Sequence, residues 1–472
     1  MLERGMVNSP VVTGHRLHRS FVTRTHLWGF LVAFIVVALG DYLWASPRND
    51  VFNWYISIMW SSSLPFVVVS LIGVWRFSRQ GTIPRTPRIV TDQTIIFQIP
   101  TVARRGNLSA LHRVIQSVAL YAPRYFTHWY IDVIVDEGSP GISWLRESYD
   151  QWEQLRLIVI PNSYRTHNGT RYKARANHYA VDWRMQYHQN TTNTWIYHLD
   201  DDTAVIESTL QAIVHHVVNR GQYWMAQGIL TFPLQLSHSW IARLADSVRP
   251  PDDMGRFYFF NEILRRPLVG AHGENLLLRA DKEATIGWDF GPHVITEDAY
   301  FGCRFASKFP GHTAAFCAIT AGASPDTLRG FIKQRQRWAE GLWRLSWDHS
   351  IAWRDKWVMA ISTWMWTSSL LQNVFVVMGL AYVLGWDNTS PVWRSIAILW
   401  AFNLSFWMWY YWTGFRVNRQ MSDIPSAYPR VLGIVNVMVF PILTTFEAIA
   451  LMGGVVKGCR APHGFVVIDK PY

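Results

Sequence analysis

The chain has 472 residues, half of them hydrophobic and only 16% charged, with 26 Trp and a formal net charge of +11. That length would hold two or three soluble domains, but so few charges and so many tryptophans, which collect at membrane interfaces, argue for a multi-pass membrane protein. The positive balance suits anionic lipid or an anionic substrate. No basic stripe interleaved with aromatics marks a nucleic-acid module, so nucleic acid is not an expected partner.

Residues 1–26 are polar and carry Arg4, Arg16, Arg19 and Arg24, as a cytoplasmic N-terminal segment would. From Leu27 to Trp44 the chain is continuously apolar, long enough to cross a ~30 Å hydrocarbon core as a helix. It has no small-residue cleavage site after it and reads as a retained span. A second apolar run, Asn53 to Phe77, is followed by Arg79, Arg85 and Arg88. Residues 27–77 are therefore expected to form two transmembrane helices, with cytoplasm on both outer sides by the positive-inside rule.

Residues 85–345 change to soluble α/β alternation. Apolar runs at 95–101, 131–139, 155–161 and 195–199 read as strands. Between them, Leu108, Leu111, Ile115, Val118 and Ala119 recur at helical spacing, and 171–185 reads as a further helix. Strands alternating with helices predict a mainly parallel sheet. Ligands collect at the carboxyl ends of such strands, where Thr101, Asp136 and Asp200–Asp202 fall.

After residue 346 the chain is apolar again. Trp357–Trp386, Val392–Phe415 and Val431–Val456 are expected as about three transmembrane or interfacial helices, ahead of a tail at 457–472. If the third spans, Lys457 and Arg460 lie outside against the charge rule; if it is re-entrant, they stay inside. Glu447 within it is either a functional intramembrane carboxylate or one that faces a helix–helix contact. Cys303, Cys317 and Cys459 have no framework spacing and read as reduced thiols.

Three segments carry the chemistry. The run Trp195-Ile196-Tyr197-His198-Leu199 ends in Asp200-Asp201-Asp202. Three carboxylates at a strand tip repel one another and make sense around Mg²⁺ or Mn²⁺. Glu297-Asp298 follows about ninety residues later, and Gln334, Arg337 and Trp338 come within QRQRW. Taken singly, these are a solvated turn, a helix N-terminus and a basic amphipathic helix. Their order within one domain flanked by apolar runs is a set of parts for using a sugar diphosphate. A hydroxyl attacking an anomeric carbon also needs a proton acceptor beside it, which the pair Glu297-Asp298 can supply. One base plus a metal-assisted leaving group gives inversion.

With these residues in view, the chain resembles the membrane-integrated inverting family-2 glycosyltransferases, related to cellulose and hyaluronan synthases. The resemblance rests on Asp136, Asp200-x-Asp202, Thr296-Glu297-Asp298 and QxxRW at Gln334–Trp338, and covers residues 90–345. Local details (HLDDDT, GWDFG before VITEDAYF, SPDTLRGFIKQRQRW and the ending GFVVIDK) look closest to the egghead-type β-1,4-mannosyltransferases. The bulky context of Trp343 and Trp347 after QRQRW, and Gly322-Ala323 before SPDT, depart from the pattern.

The resemblance implies a GT-A-type nucleotide-sugar-binding domain inserted between transmembrane helices and facing the cytoplasm. By position, Thr101, Asp136, Asp200 and Asp201 would bind the donor, with Lys173 and Arg175 on its diphosphate. Asp202 with Asp200 would hold the metal, and Glu297 and Asp298 would form the catalytic pair, with Asp298 as the general base. Gln334, Arg337 and Trp338 would line the acceptor and diphosphate end. The implied partners are a nucleotide-diphosphate sugar, a lipid-linked or glycan acceptor, and membrane lipids. The expected reaction forms a β-glycoside, β-1,4-mannosyl from GDP-mannose in the egghead form. A processive polysaccharide synthase is the alternative within the same chemistry, and a non-catalytic transporter or structural membrane protein is the alternative outside it.

Overall fold

A computed structural model of the chain describes residues 24–44, 58–59, 62–80, 90–236, 239–373, 385, 397–422 and 431–460. The strands are β1 (Thr91–Pro100), β2 (Phe126–Asp136), β3 (Leu155–Ile160), β4 (Thr194–His198), β5 (Ala204–Val205), β6 (Met225–Thr231), β7 (Leu276–Arg279) and β8 (Thr313–Ala321). They form one eight-stranded sheet in the order β3-β2-β1-β4-β7-β6-β8-β5. β3, β2, β1 and β4 are mutually parallel, as are β6 and β8. β7 runs against both β4 and β6, and β5 against β8. The result is a mixed, mostly parallel α/β sheet. Its first four strands are those the apolar runs predict; the reversed strand β7 in the middle is not among them.

Strands covered on both faces need apolar residues at successive positions. β1 meets that with Ile95, Ile96, Phe97 and Ile99, and β2 with Ile131, Val133, Ile134 and Val135, all fully buried. The helices are α1 (Arg24–Trp44), α2 (Leu64–Gln80), α3 (Leu108–Tyr121), α4 (Ile142–Tyr149), α5 (Tyr172–Gln186), α6 (Glu207–Asn219), α7 (Trp240–Ala245), α8 (Ala280–Ile286), α9 (Glu297–Lys308), α10 (Leu328–Trp347), α11 (Trp353–Thr367), α12 (Ala397–Gln420) and α13 (Val431–Gly458). α3 buries Leu108, Leu111, Val114, Ile115 and Val118 on the sheet, the stripe of an amphipathic helix.

A buried polar network braces the end of β4. Glu283 of α8 meets Arg184 of α5 at 2.6 Å, His198 Nε2 at 3.0 Å and the indole N–H of Trp288 at 2.8 Å. Burial holds the His198 imidazole below its usual pKa, against the opposing pull of Glu283. Asn275, just before β7, accepts from the Tyr197 hydroxyl at 2.6 Å and donates to the carbonyls of Ile229 and Ala318, each at 3.0 Å. One amide thus ties β4, β6 and β8 together. Left unpaired in the interior, such groups would be costly.

Among the described residues only α13 is long and apolar enough to cross a membrane, with a shorter apolar stretch at His26–Gly40. The described helices in the other expected spans are shorter or more polar. α2 has 17 residues and ends in polar ones. α12 buries Asn403, Ser405, Thr413 and Asn418. Residues 374–384 and 386 of the first expected C-terminal run, and 53–57 and 60–61 of the run from residue 53, lie outside the described residues, as does the tail beyond 460. α13 packs along α10 and α12, and α1 along α12. Glu447 is turned inward to α10, where it pairs with Arg335 at 2.6 Å.

Candidate active site

Parallel strands end on one edge, and the acidic residues gather there. Thr101 follows β1, Asp136 closes β2, and Asp200–Asp202 begin two residues after β4. The Thr101 hydroxyl donates to Asp201 Oδ2 at 2.7 Å and accepts from the Ala103 amide at 3.0 Å. α5 brings up the cations. Tyr172 turns into it with a left-handed backbone, φ 57°. Lys173 Nζ then pairs with Asp200 and donates to the Gly273 carbonyl at 2.9 Å. Arg175 pairs with Asp136 and donates to the carbonyls of Pro161 at 3.1 Å and Tyr164 at 3.3 Å.

Oxygens of Asp200, Asp202 and Glu274 all lie within 4.8 Å of one another. Three carboxylates are the donor set that Mg²⁺ or Mn²⁺ accepts, so these residues fit the expected cation. Glu274 is absent from the sequence expectation, and the topology explains why. Strand carboxyl ends are where a parallel sheet presents ligands, but Glu274 precedes its strand. Because β7 is reversed, its first residue, Leu276, pairs with His198 at the end of β4. Glu274 therefore arrives at the same edge from the opposite direction. The only sequence signal is an acid beside glycine ahead of a short apolar run, Gly273-Glu274-Asn275.

Two further residues support this cluster. Arg113, buried on the inner face of α3, donates to the Asp202 carbonyl at 3.3 Å. Burial lowers its pKa, and Asp202 opposes that. His272 Nε2 lies 2.8 Å from Asp253, its ring stacks on Phe257 at 4.2 Å, and its backbone N–H donates to Gln227 at 2.9 Å. The loop carrying Gly273 and Glu274 is thereby pinned.

Glu297 and Asp298 open α9 across the site. Asp298 Oδ1 accepts from the Ala299 amide at 2.8 Å, an acid at a helix N-terminus. A Cβ at Gly273 would stand 2.9 Å from Lys173 Nζ and 3.2 Å from Asp298 Oδ2. Glycine is what lets lysine and Asp298 meet beside the Asp200 cluster. Glu297 is buried, and burial together with the neighbouring Asp298 raises its pKa to about 7, against the pull of Lys173 and Arg337. Burial works against the charge on Lys173, but Asp200, Glu297 and Asp298 outweigh it and raise its pKa.

α10 is capped by Thr327, whose hydroxyl accepts from the Gly330 amide at 3.0 Å. It lies against the Thr296 turn so closely that a Cβ at Gly341 would be 2.5 Å from Thr296 Cγ2. Its Arg337 sits in the field of Glu297, Asp200 and Asp298, which oppose the lowering of its pKa by burial. Gln334 and Trp338 are held differently. Gln334 Oε1 accepts from Arg335 at 2.9 Å, and the guanidinium carbons of Arg249 and Arg335 lie 4.3 and 4.5 Å from the Trp338 ring centroid. The structure thus brings Thr101, Lys173, Asp200–Asp202, Glu297, Asp298 and Arg337 to one site. Asp136 and Arg175 stand at its edge, and Gln334 and Trp338 are tied into an arginine cluster.

The family model described as glycosyl transferase family group 2 matches residues 195–416. The chain is similar to the β-1,4-mannosyltransferase egh of Drosophila melanogaster, 27% identical over 68% of this chain and 67% of that protein. It is also similar to the β-1,4-mannosyltransferase bre-3 of Caenorhabditis briggsae, 30% identical over 48% of this chain and 49% of the relative. The chain thus spans about two thirds of the fly relative and about half of the nematode one. Among solved structures, the mannosyltransferase PcManGT of Pyrobaculum calidifontis, in complex with GDP-Man and Mn²⁺, aligns at a TM-score of 0.48 with 14% identity, over 86% of this chain and 98% of that one.

Proposed function

The chain belongs to glycosyltransferase family 2, and from that premise we propose that it moves one sugar, with inversion, from a nucleotide-diphosphate sugar to a lipid-linked acceptor at a membrane. The specific form proposed is β-1,4-mannosyl transfer from GDP-mannose, supported by the two β-1,4-mannosyltransferases it is similar to. The observation that carries the reading is Lys173, whose ammonium sits on Asp200 of the three-carboxylate cluster and lies beside Asp298. A cation site, a phosphate-sized positive charge and a base stand within one side chain's reach.

The residues then divide the work. Asp136, Thr101 and Asp201 hold the nucleoside end. Lys173 and Arg175 leave their carboxylates for the diphosphate, where arginine makes bidentate contacts. Asp200, Asp202 and Glu274 would hold Mg²⁺ or Mn²⁺, whose charge offsets that developing on the leaving diphosphate. Asp298 takes the proton of the acceptor hydroxyl as its oxygen bonds to the anomeric carbon and the bond to phosphate breaks on the other face. An α-linked donor yields a β-glycoside. Arg337 faces the carboxylates from the acceptor side.

The membrane setting is part of the proposal: a multi-pass chain with this site facing the cytoplasm. Its support is α13 and the apolar residues that α1 and α13 leave exposed, such as Val36, Leu43, Met438 and Ile449. The test is incubation of membranes bearing the chain with a panel of radiolabelled nucleotide sugars, followed by chromatography of lipid and polymer fractions. One labelled sugar in the lipid fraction, from GDP-mannose, is expected. A polymer ladder would overturn the single transfer, and no transfer or hydrolysis with any donor would overturn the enzyme.

A further inference from the structure

Glu447 is the only carboxylate in the apolar helix α13, and the proposed reaction does not use it. Its carboxylate accepts from Arg335 Nε at 2.6 Å. Arg335 Nη2 donates to Asp246 at 2.5 Å and Nη1 to Gln334 at 2.9 Å. All three nitrogens of one guanidinium are committed to different elements: α10 itself, the segment after α7, and α13. Side-chain exposure is 2% for Arg335 and for Asp246, and 11% for Glu447. Arg249 supplies a second positive charge to both carboxylates and stacks on Trp338 at 4.3 Å. Two arginines thus balance two buried acids. Burial alone would raise the pKa of Asp246, but Arg335 and Arg249 more than offset it and hold the carboxyl below its usual range.

The placement on α10 gives this cluster its meaning. Arg335 and Trp338 are one helical turn apart and so lie on one face. Arg337, between them in sequence, lies in the field of the site carboxylates. The rotational setting of α10 therefore decides where Gln334, Arg337 and Trp338 stand. That setting is fixed from outside the sheet, in part by a residue of the apolar helix. Further along the same contact, Lys457 of α13 donates to Gln336 at 2.9 Å.

We propose that Arg335 is a positioning residue for the acceptor end of the site, and that Glu447 and Asp246 are the anchors through which α13 and the α7 segment hold it. The proposal rests on the glycosyltransferase reading above. A guanidinium satisfies three partners in fixed directions, which a lysine ammonium cannot reproduce. The donor end is built on other elements, α5 and the strand tips.

The experiment uses the full chain in detergent, with Arg335→Lys, Glu447→Gln and the double variant, at fixed Mn²⁺. Nucleotide-diphosphate affinity and acceptor kinetics are measured separately. Arg335→Lys is expected to raise the acceptor KM, or lower kcat, on the order of ten-fold, since small displacements of positioning groups suffice for that. Donor affinity should stay within about two-fold, because the contacts that define it are not touched. Glu447→Gln should act in the same direction, and the double variant should be no worse than Arg335→Lys alone, as for two parts of one device. Unchanged acceptor kinetics in both single variants, or donor affinity lost in step with acceptor kinetics, would overturn the proposal. If Arg335→Lys fails to fold, Asp246→Asn and Glu447→Gln carry the same comparison. Wild-type protein that transfers to no lipid acceptor would instead sink the functional reading itself.

Discussion

The proposed donor and acceptor ends of the site hold their charges in opposite ways. At the donor end, Lys173 pairs with Asp200 at side-chain exposures of 21% and 36%, and Arg175 with Asp136 at 18% and 54%. At the acceptor end, Arg335 and Asp246 are each 2% exposed. A pair in contact with water is worth about 0–1 kcal/mol and opens readily. A buried pair, once opened by loss of a partner, leaves an uncompensated charge at roughly 3–5 kcal/mol. On the proposed function, the donor end is therefore suited to exchange partners, releasing carboxylates to a cation and cations to a diphosphate. The acceptor end is built to stay where it is.

The sharpest way to break this division is at the residue between the ends. Asp298→Asn keeps shape and removes the proposed base. Transfer should fall by about a thousand-fold, within the range that general bases contribute. Nucleotide affinity should be nearly intact. An active Asn variant would remove Asp298 from the role. Next in size is the cation site. Asp202→Ala, or excess chelator on the wild type, is expected to abolish Mn²⁺-dependent nucleotide binding. Glu274→Gln should weaken it on the order of ten-fold or more, as the loss of one of three charged ligands would. Full activity in chelator would sink the metal assignment, and unchanged Mn²⁺ affinity in Glu274→Gln would leave the cluster to the two aspartates.

The same division decides how much was legible in the sequence. The donor end is made of strand tips in a parallel arrangement, and each tip is announced by an apolar run that stops at a polar residue. Thr101, Asp136 and Asp200–Asp202 are readable for that reason. Glu274 is not, because its strand runs backwards and the carboxyl-end rule points away from it. Arg113 and His272 are hidden for another reason: a buried arginine on an apolar helix face and a histidine in a loop look ordinary until their partners are known. In QRQRW the motif draws the eye to Gln334, Arg337 and Trp338. Arg335, which makes the buried contacts, lies at a position the motif leaves open. Glu447 was conspicuous as a lone acid in an apolar helix, but its partner is more than a hundred residues away in sequence.

Exchange at the donor end predicts a contrast between its two cations. Lys173→Met should raise the donor KM by roughly 10- to 100-fold, since it removes a charge-assisted contact to phosphate at a partly buried position. In the absence of nucleotide, the same variant should bind Mn²⁺ more tightly than the wild type, because Asp200 is no longer paired with an ammonium. Arg175→Met, at the more exposed edge, should raise the donor KM by only about 3- to 10-fold. Calorimetric titration of Mn²⁺ and nucleotide separates the two effects. Weaker Mn²⁺ binding in Lys173→Met would contradict the exchange.

The smallest effect concerns Glu297, which sits where the two ends meet and feels Lys173 from one and Arg337 from the other. Its carboxyl is raised from 4.5 to about 7 by burial and by Asp298. The folded protein therefore holds this proton more tightly than the unfolded chain does. The stabilisation is fully present below pH 4.5 and is lost as the pH rises to about 7, amounting to about 3 kcal/mol at most. Thermal unfolding of the nucleotide-free, metal-free protein should shift to lower temperature between pH 5 and pH 8. Glu297→Gln cannot ionise, so its unfolding temperature should fall less over the same range and exceed that of the wild type at pH 8. Parallel curves for the two proteins would mean that the carboxyl is ionised throughout, with Lys173 and Arg337 together outweighing burial. The seam would then belong with the exchangeable donor end, not with the fixed one.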